Sequence, residues 1–172
     1  MRAPTLETKR LRLRPLAARD FDAYAAAWSD PRTTRFIGGA PRDRITSWGK
    51  FLQAAGMWPV LGYGYWTFAD RETDAYLGIG GPSQMERGMP QLDGFVEMGW
   101  ALAPAAWGQG IATEAMEAAC QWADGQLRGE LRCIIDLENA PSIRVAEKIG
   151  FSRIDEVENE QGSLLVFARV RP

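Results

Sequence analysis

Between residues 95 and 137 the hydrophobic period changes twice, and this constrains the fold more than anything else in the chain. From Phe95 to Leu102 the pattern has period two, as in a strand: Val96, Met98, Trp100 and Leu102 share one face, and Phe95, Glu97, Gly99 and Ala101 the other. After Gly110 the period becomes helical. Ile111, Ala112, Ala115, Met116, Ala119, Trp122 and Ala123 form one face, while Thr113, Glu114, Glu117, Gln121 and Asp124 fill the other, up to a stop near Gly125. Leu131 to Leu137 is apolar and β-branched, which returns the chain to a strand. A strand-helix-strand run of this kind joins parallel neighbours through a right-handed crossover.

The remaining segments read mostly as hairpins. Leu11 and Leu13 alternate with Arg10, Arg12 and Arg14 in a strand ended by Pro15. A helix over Ala18 to Trp28 breaks at Asp30-Pro31, and a second spans about Asp43 to Ala55 after the Gly38-Gly39 loop. Tyr63 to Phe68 and Ala75 to Gly81 pair across an Asp70-to-Asp74 turn. Ser142 to Ile149 is a short helix stopped by Gly150, and Val157 to Val170 carries the last strands around a Gln161-Gly162 turn. The 172 residues suffice for one core that buries roughly 70% of the unfolded surface, so a single domain over residues 1–172 of mixed α/β class is expected.

Composition excludes more than it selects. A net charge of −2 lacks the positive balance of a general nucleic-acid binder. No N-terminal apolar run suits a signal peptide, and no stretch approaches the ~20 apolar residues of a membrane span, so a cytoplasmic location is expected. With no histidine in the chain, Ser-His-Asp and Cys-His mechanisms are excluded. Cys120 and Cys133 have neither disulfide-framework nor metal-ligand spacing and read as small buried hydrophobes, with no metal site implied. Any general base must be a carboxylate, an amine, a phenol or water.

Gly108-Gln109-Gly110 stands between a strand and a helix start, where glycines admit a ligand close to the backbone and free N–H groups favour phosphate oxygens. On spacing alone an ordinary tight turn is the commoner reading, and Ile111 stands where a Walker loop needs lysine. Trp107 to Ala115, WGQGIATEA, nevertheless resembles the pyrophosphate-binding motif of the GNAT superfamily of N-acetyltransferases. Asn139 to Phe151 resembles the superfamily's second motif. The opening from Leu6 to Tyr24, followed by Trp28-Ser-Asp-Pro31, resembles the RimJ/RimL-like branch that acetylates ribosomal-protein N-termini.

This resemblance implies a mostly antiparallel sheet of about seven strands splayed around a coenzyme A site and flanked by about four helices. It implies acetyl-CoA as cosubstrate, its pyrophosphate on the backbone N–H groups of Gln109, Gly110, Ile111, Ala112 and Thr113. The strand residues Met98, Gly99, Trp100, Ala101 and Leu102 would pair with the pantetheine arm, and Asn139 would contact it. The acceptor would be a primary amine, with a peptide or ribosomal-protein N-terminus suggested by the branch, and a homodimer is left open. Two departures stand out: Trp107 replaces the motif's Arg or Gln, and Ala146 stands where many relatives carry a tyrosine acid. The second keeps alive an alternative in which the chain is a CoA-binding sensor or interaction module with little transferase activity.

Similar enzymes place a carboxylate base on the strand that here carries Glu97, whose face it shares with Gly99 and Ala101; the competing reading is a solvent-facing glutamate. Deprotonating a lysine-like amine of pKa ~10.4 at pH 7 costs roughly 4.6 kcal/mol, whereas an α-amine of pKa ~8 needs only about 1.4. An α-amine therefore requires modest help, such as Glu97 acting through a water. Ser142 is the candidate hydroxyl for the departing sulfur, with a helix-capping role as its competitor. A backbone N–H near Gly99 or Trp100 would meet the oxyanion. Arg10, Arg12 and Arg14 read as a solvated strand face rather than an RNA or acidic-partner contact, and Trp58, Tyr63, Tyr65 and Trp66 as core rather than acceptor pocket.

Overall fold

The computed structural model describes residues 3–159 and 162–170. In chain order the elements are β1 (Leu6–Glu7), β2 (Leu11–Arg14), α1 (Phe21–Ser29), α2 (Pro31–Thr34), α3 (Arg44–Leu61), β3 (Trp66–Asp70), β4 (Tyr76–Ser83), β5 (Val96–Leu102), α4 (Ile111–Gln126), β6 (Leu131–Asp136), α5 (Ala140–Lys148), β7 (Ser152–Asn159) and β8 (Gly162–Arg169). The strands form one sheet in the order β1-β2-β3-β4-β5-β6-β8-β7. Among the described residues only the β5–β6 contact is parallel, as the crossover through α4 requires. This is the mixed, mostly antiparallel architecture expected, with the two-residue β1 and the one-turn α2 as additions.

The two faces of the sheet carry separate cores. On one, α4 lays an alanine-rich stripe against the strands: Ala115, Ala119 and Ala123 are fully buried, and their small side chains bring helix and sheet close together. Met98 of β5 lies within this core, with Val96, Trp100 and Leu102 packed against it. On the opposite face Tyr24 and Trp28 of α1, Phe51 and Ala54 of α3 and Ile79 of β4 form a second core, against which Tyr65 and Ala101 pack. The alternation read from β5 thus decides which of its side chains meet which helices.

Along one edge β5 pairs with β4 from Ser83↔Glu97 to Gly78↔Leu102. Along the other it pairs with β6 only at Val96↔Leu131 and Glu97↔Arg132. Beyond Glu97 the two parallel strands part, while β6 continues in register with β8 as far as Asp136↔Leu164. The sheet is therefore open between the C-terminal halves of β5 and β6.

Several boundaries differ from the sequence reading. Helix α3 continues to Leu61 rather than stopping near Ala55, because Met57 and Trp58 are buried and Trp58 packs edge-on against Trp66 and Trp122. Gly62, at φ 81°, closes it by donating its N–H to the Trp58 carbonyl, so β3 begins at Trp66, three residues after Tyr63. β7 starts at Ser152 instead of Val157. Of the turn expected at Gln161-Gly162, Gln161 lies outside the described residues and Gly162 opens β8. The arginine face of β2 is not uniformly solvated: Arg14 is 6% exposed and forks onto Asp20, both bonds at 2.8 Å.

Candidate active site

The loop before α4 is fixed from several sides. Gly108 and Gly110 both sit at φ 73°, a conformation that suits glycine, and Gly110 is the N-cap of α4 without any side-chain cap. The first-turn N–H groups of the helix thus keep their donor capacity. Beneath them Arg10 donates to the Gln109 carbonyl at 2.8 Å and to the Glu114 carboxylate at 2.6 Å, and Thr8 adds a 2.6 Å bond to Glu114. Gln109 donates its side-chain amide to the Ala105 carbonyl, and Trp107 folds its indole N–H onto the Leu102 carbonyl at 3.0 Å. An uncapped helix start behind two left-handed glycines fits a pyrophosphate, and a strand edge without a ladder partner fits an amide-bearing chain such as pantetheine.

A cleft of about 930 Å³ opens where β5 and β6 part. It brings together seven of the residues singled out from sequence: Glu97, Met98, Gly99, Trp100 and Ala101 on one strand, and Asn139 and Ser142 at the start of α5. Leu102, Gly110, Ala112 and Thr113 do not line it. Gln109 and Ile111 instead border a separate cleft of about 720 Å³ with Lys9, Arg10, Arg12 and Arg71. Asn139 caps α5, its side-chain oxygen accepting the Ser142 N–H at 3.3 Å, so the cap of this turn is Asn139, and Ser142 lies in the first turn behind it. Ala146 is fully buried in the core and cannot stand in for a tyrosine facing the cleft.

Glu97 is 5% exposed, which excludes the solvent-facing reading. Its carboxylate is held by both arms of Arg87, at 2.7 Å each, and its backbone carbonyl accepts from Ser83 Oγ at 3.2 Å. The Tyr65 hydroxyl lies 3.4 Å from Ser83 Oγ and occupies the space over Gly99, where an added Cβ would come within 2.7 Å of it. The room that Gly99 leaves is therefore filled by a phenol. Burial raises the Tyr65 pKa above the usual phenol value, which keeps the hydroxyl a proton donor at neutral pH.

Sequence reasoning missed Arg87, Arg42 and Lys50. Arg87 comes from the irregular segment between β4 and β5, Arg42 from the loop just before the N-cap of α3 and Lys50 from the first half of that helix, where nothing in the spacing marks them as facing Glu97's cleft. Among the described residues no group of three or more Cys, Asp or Glu side chains is placed to hold a metal ion. Among the described residues no helix is long and apolar enough to cross a membrane.

Residues 10–152 match the acetyltransferase (GNAT) domain family. The uncharacterized N-acetyltransferase p20 of Bacillus licheniformis is 26% identical over 94% of this chain and 91% of its own length. Among solved structures, an acetyltransferase from Agrobacterium tumefaciens superposes with a TM-score of 0.84 at 32% identity, covering 99% of this chain and 96% of that one. A protein of Bordetella pertussis assigned to the GNAT family gives 0.85 at 29% identity, over 98% and 100%. The fold, at 15% identity, is also that of an aminoglycoside acetyltransferase in complex with coenzyme A, with a TM-score of 0.72 over 92% of this chain and 94% of that one.

Proposed function

The chain belongs to the acetyltransferase (GNAT) domain family, and from that membership we propose that it moves the acetyl group of acetyl-CoA to a primary amine in a ternary complex, with no covalent enzyme intermediate. The observation that carries this reading is the parting of β5 and β6 after two paired residues, on strands joined through a helix whose start has no side-chain cap. The neutral amine nitrogen attacks the thioester carbonyl carbon, and the carbon–sulfur bond breaks. The amine proton leaves to a base, the thiolate takes up a proton, and the products are the N-acetyl amide and free coenzyme A.

Glu97, whose carboxylate receives both arms of Arg87, accepts the amine proton through a water, and a peptide α-amine suits so restrained a base because it needs only about 1.4 kcal/mol of deprotonation at pH 7. A backbone N–H near Gly99 or Trp100 meets the oxyanion. Ser142 and Tyr65 are the cleft hydroxyls that serve the departing sulfur. The buried Ala146 and the Arg87-clamped Glu97 favour a second reading, a CoA-binding sensor of the same fold.

Acetyl-CoA at 100 times its dissociation constant stabilises the fold by about 2.7 kcal/mol in a thermal melt, and a flat melting temperature at millimolar acetyl-CoA overturns both readings. Thiol release with a panel of amines then separates enzyme from sensor. Glu97→Gln lowers that rate and alters its pH profile; an unchanged profile removes Glu97 from the proton path.

A further inference from the structure

The wall of the cleft facing β5 has a marked charge bias. Of its lining residues between positions 24 and 57, Arg35, Arg42 and Lys50 are cationic and none is acidic. Arg42 is the best placed. Its guanidinium carbon stacks 3.7 Å from the centroid of the Trp28 ring, its backbone N–H donates to the Trp28 carbonyl at 2.9 Å, and the buried Tyr24 side chain lies beside it. This orients the planar fork, the geometry that receives a carboxylate with two parallel bonds. Among the described residues neither Arg42 nor Lys50 has a carboxylate partner; Lys50 reaches only the Gln53 side-chain oxygen, at 3.3 Å.

The acids of the cleft do not balance these charges. Glu97 is taken by Arg87, and Asp136 accepts the Glu138 N–H at the end of β6, on the far side of the opening. Asp136 and the exposed Glu86 after β4 keep their charges, and Arg35 lies 3.8 Å from Glu138, which leaves Arg42 and Lys50 as the wall's cations without a carboxylate among the described residues. The protein as a whole carries −2, so this positive wall is a local feature against the overall balance.

We propose that the acceptor is an amine that also carries a carboxylate, with its anionic end on Arg42 and Lys50 and its nitrogen toward Glu97 and Tyr65. A free amino acid and a peptide with an acidic residue next to its N-terminus share this chemistry; a polycationic amine such as an aminoglycoside or polyamine does not. The inference rests on the transfer reading above. The reaction balances as before: the acceptor nitrogen gains the acetyl carbon and loses one proton, and coenzyme A leaves as the thiol.

Initial rates of thiol release from acetyl-CoA, compared for L-glutamate, Ala-Glu-Ala, Ala-Lys-Ala, spermine and kanamycin, test it. One carboxylate-bearing acceptor exceeds every polycation by roughly tenfold or more in kcat/KM, and whether glutamate or Ala-Glu-Ala leads identifies the source. Arg42→Gln raises the KM of that acceptor by a similar roughly tenfold factor while the acetyl-CoA melting shift stays as in the parent, and Arg42→Lys restores part of the loss. Equal or faster turnover of spermine or kanamycin overturns the proposal, as does an unchanged acceptor KM in Arg42→Gln. If no amine is acetylated, calorimetry on the CoA complex decides: binding of Ala-Glu-Ala in preference to Ala-Gln-Ala upholds the charge reading while transfer falls, and equal binding overturns both.

Discussion

Ala146 packs into the core beside α4, and the space around it is closed on every side, so its small size is a packing requirement of this chain. Ala146→Tyr therefore overpacks the core and lowers stability by about 1–3 kcal/mol in a denaturant melt, with no gain in thiol release. A faster, equally stable variant would show that the side chain reaches the cleft. The same residue scale shows where the sequence was legible. Period two placed Glu97 on the face away from Met98, and the structure has it there, because alternation along a strand is geometric. Arg87 was not legible: it approaches from a loop ten positions earlier, and no local periodicity predicts where a long side chain from such a loop ends. Tyr65 was read as core, and it does pack on the second core, yet its hydroxyl enters the cleft over Gly99.

At the scale of elements, the helical wall of the cleft is held to the sheet through one buried ion pair. Asp20, at the entry to α1, takes both arms of Arg14 from β2, the Ala17 N–H at 3.0 Å and the Thr67 hydroxyl of β3 at 3.0 Å. Burial alone would raise its pKa, but the Arg14, Ala17 and Thr67 bonds outweigh burial and hold it below the usual carboxylate value. Asp74, which Arg14 and Arg19 also contact, is lowered too, chiefly by Arg14. A depressed carboxylate stabilises the fold above its unfolded value of ~3.9, and that contribution is lost as the pH falls through the lower folded value. The melting temperature should accordingly hold from neutral to about pH 5 and drop steeply below about pH 4. Asp20→Asn removes one of the two carboxylates on Arg14 and leaves Asp74, costs about 1–3 kcal/mol at pH 7 and flattens the acid limb; an acid limb of unchanged steepness would locate the transition elsewhere. This pair was hidden in the sequence because alternating Arg and Leu in β2 looks like a solvated edge. Arg14 is buried only because the chain folds α1 back over it, a tertiary event without a local signature.

For the whole molecule, the crossover from β5 through α4 to β6 was legible because two changes of period in about forty residues admit few arrangements, and right-handedness removes most of those left. That β5 and β6 stay paired at only two positions was available through family resemblance alone, since strand divergence leaves no mark on alternation. Occupation of the opening by a pantetheine arm predicts a regional signature. On adding acetyl-CoA, hydrogen exchange should slow in β5 beyond Glu97, in β6 and in the first turn of α4, and remain unchanged in β2 and β3. Uniform slowing across the sheet would place the ligand elsewhere.

The two-rung contact has a mechanical meaning as well. Strands β6, β7 and β8 with α5 make up the last quarter of the chain, and apart from those rungs they are joined to the remainder chiefly through α4 and side-chain packing. The sheet is thus least tied along this seam, and a thioester donor lying in it, as proposed above, would act as mortar between the two sides. Cohesion would then vary with the amount of donor present, and resistance to proteolysis would rise and fall with it, first along the line where β5 and β6 part.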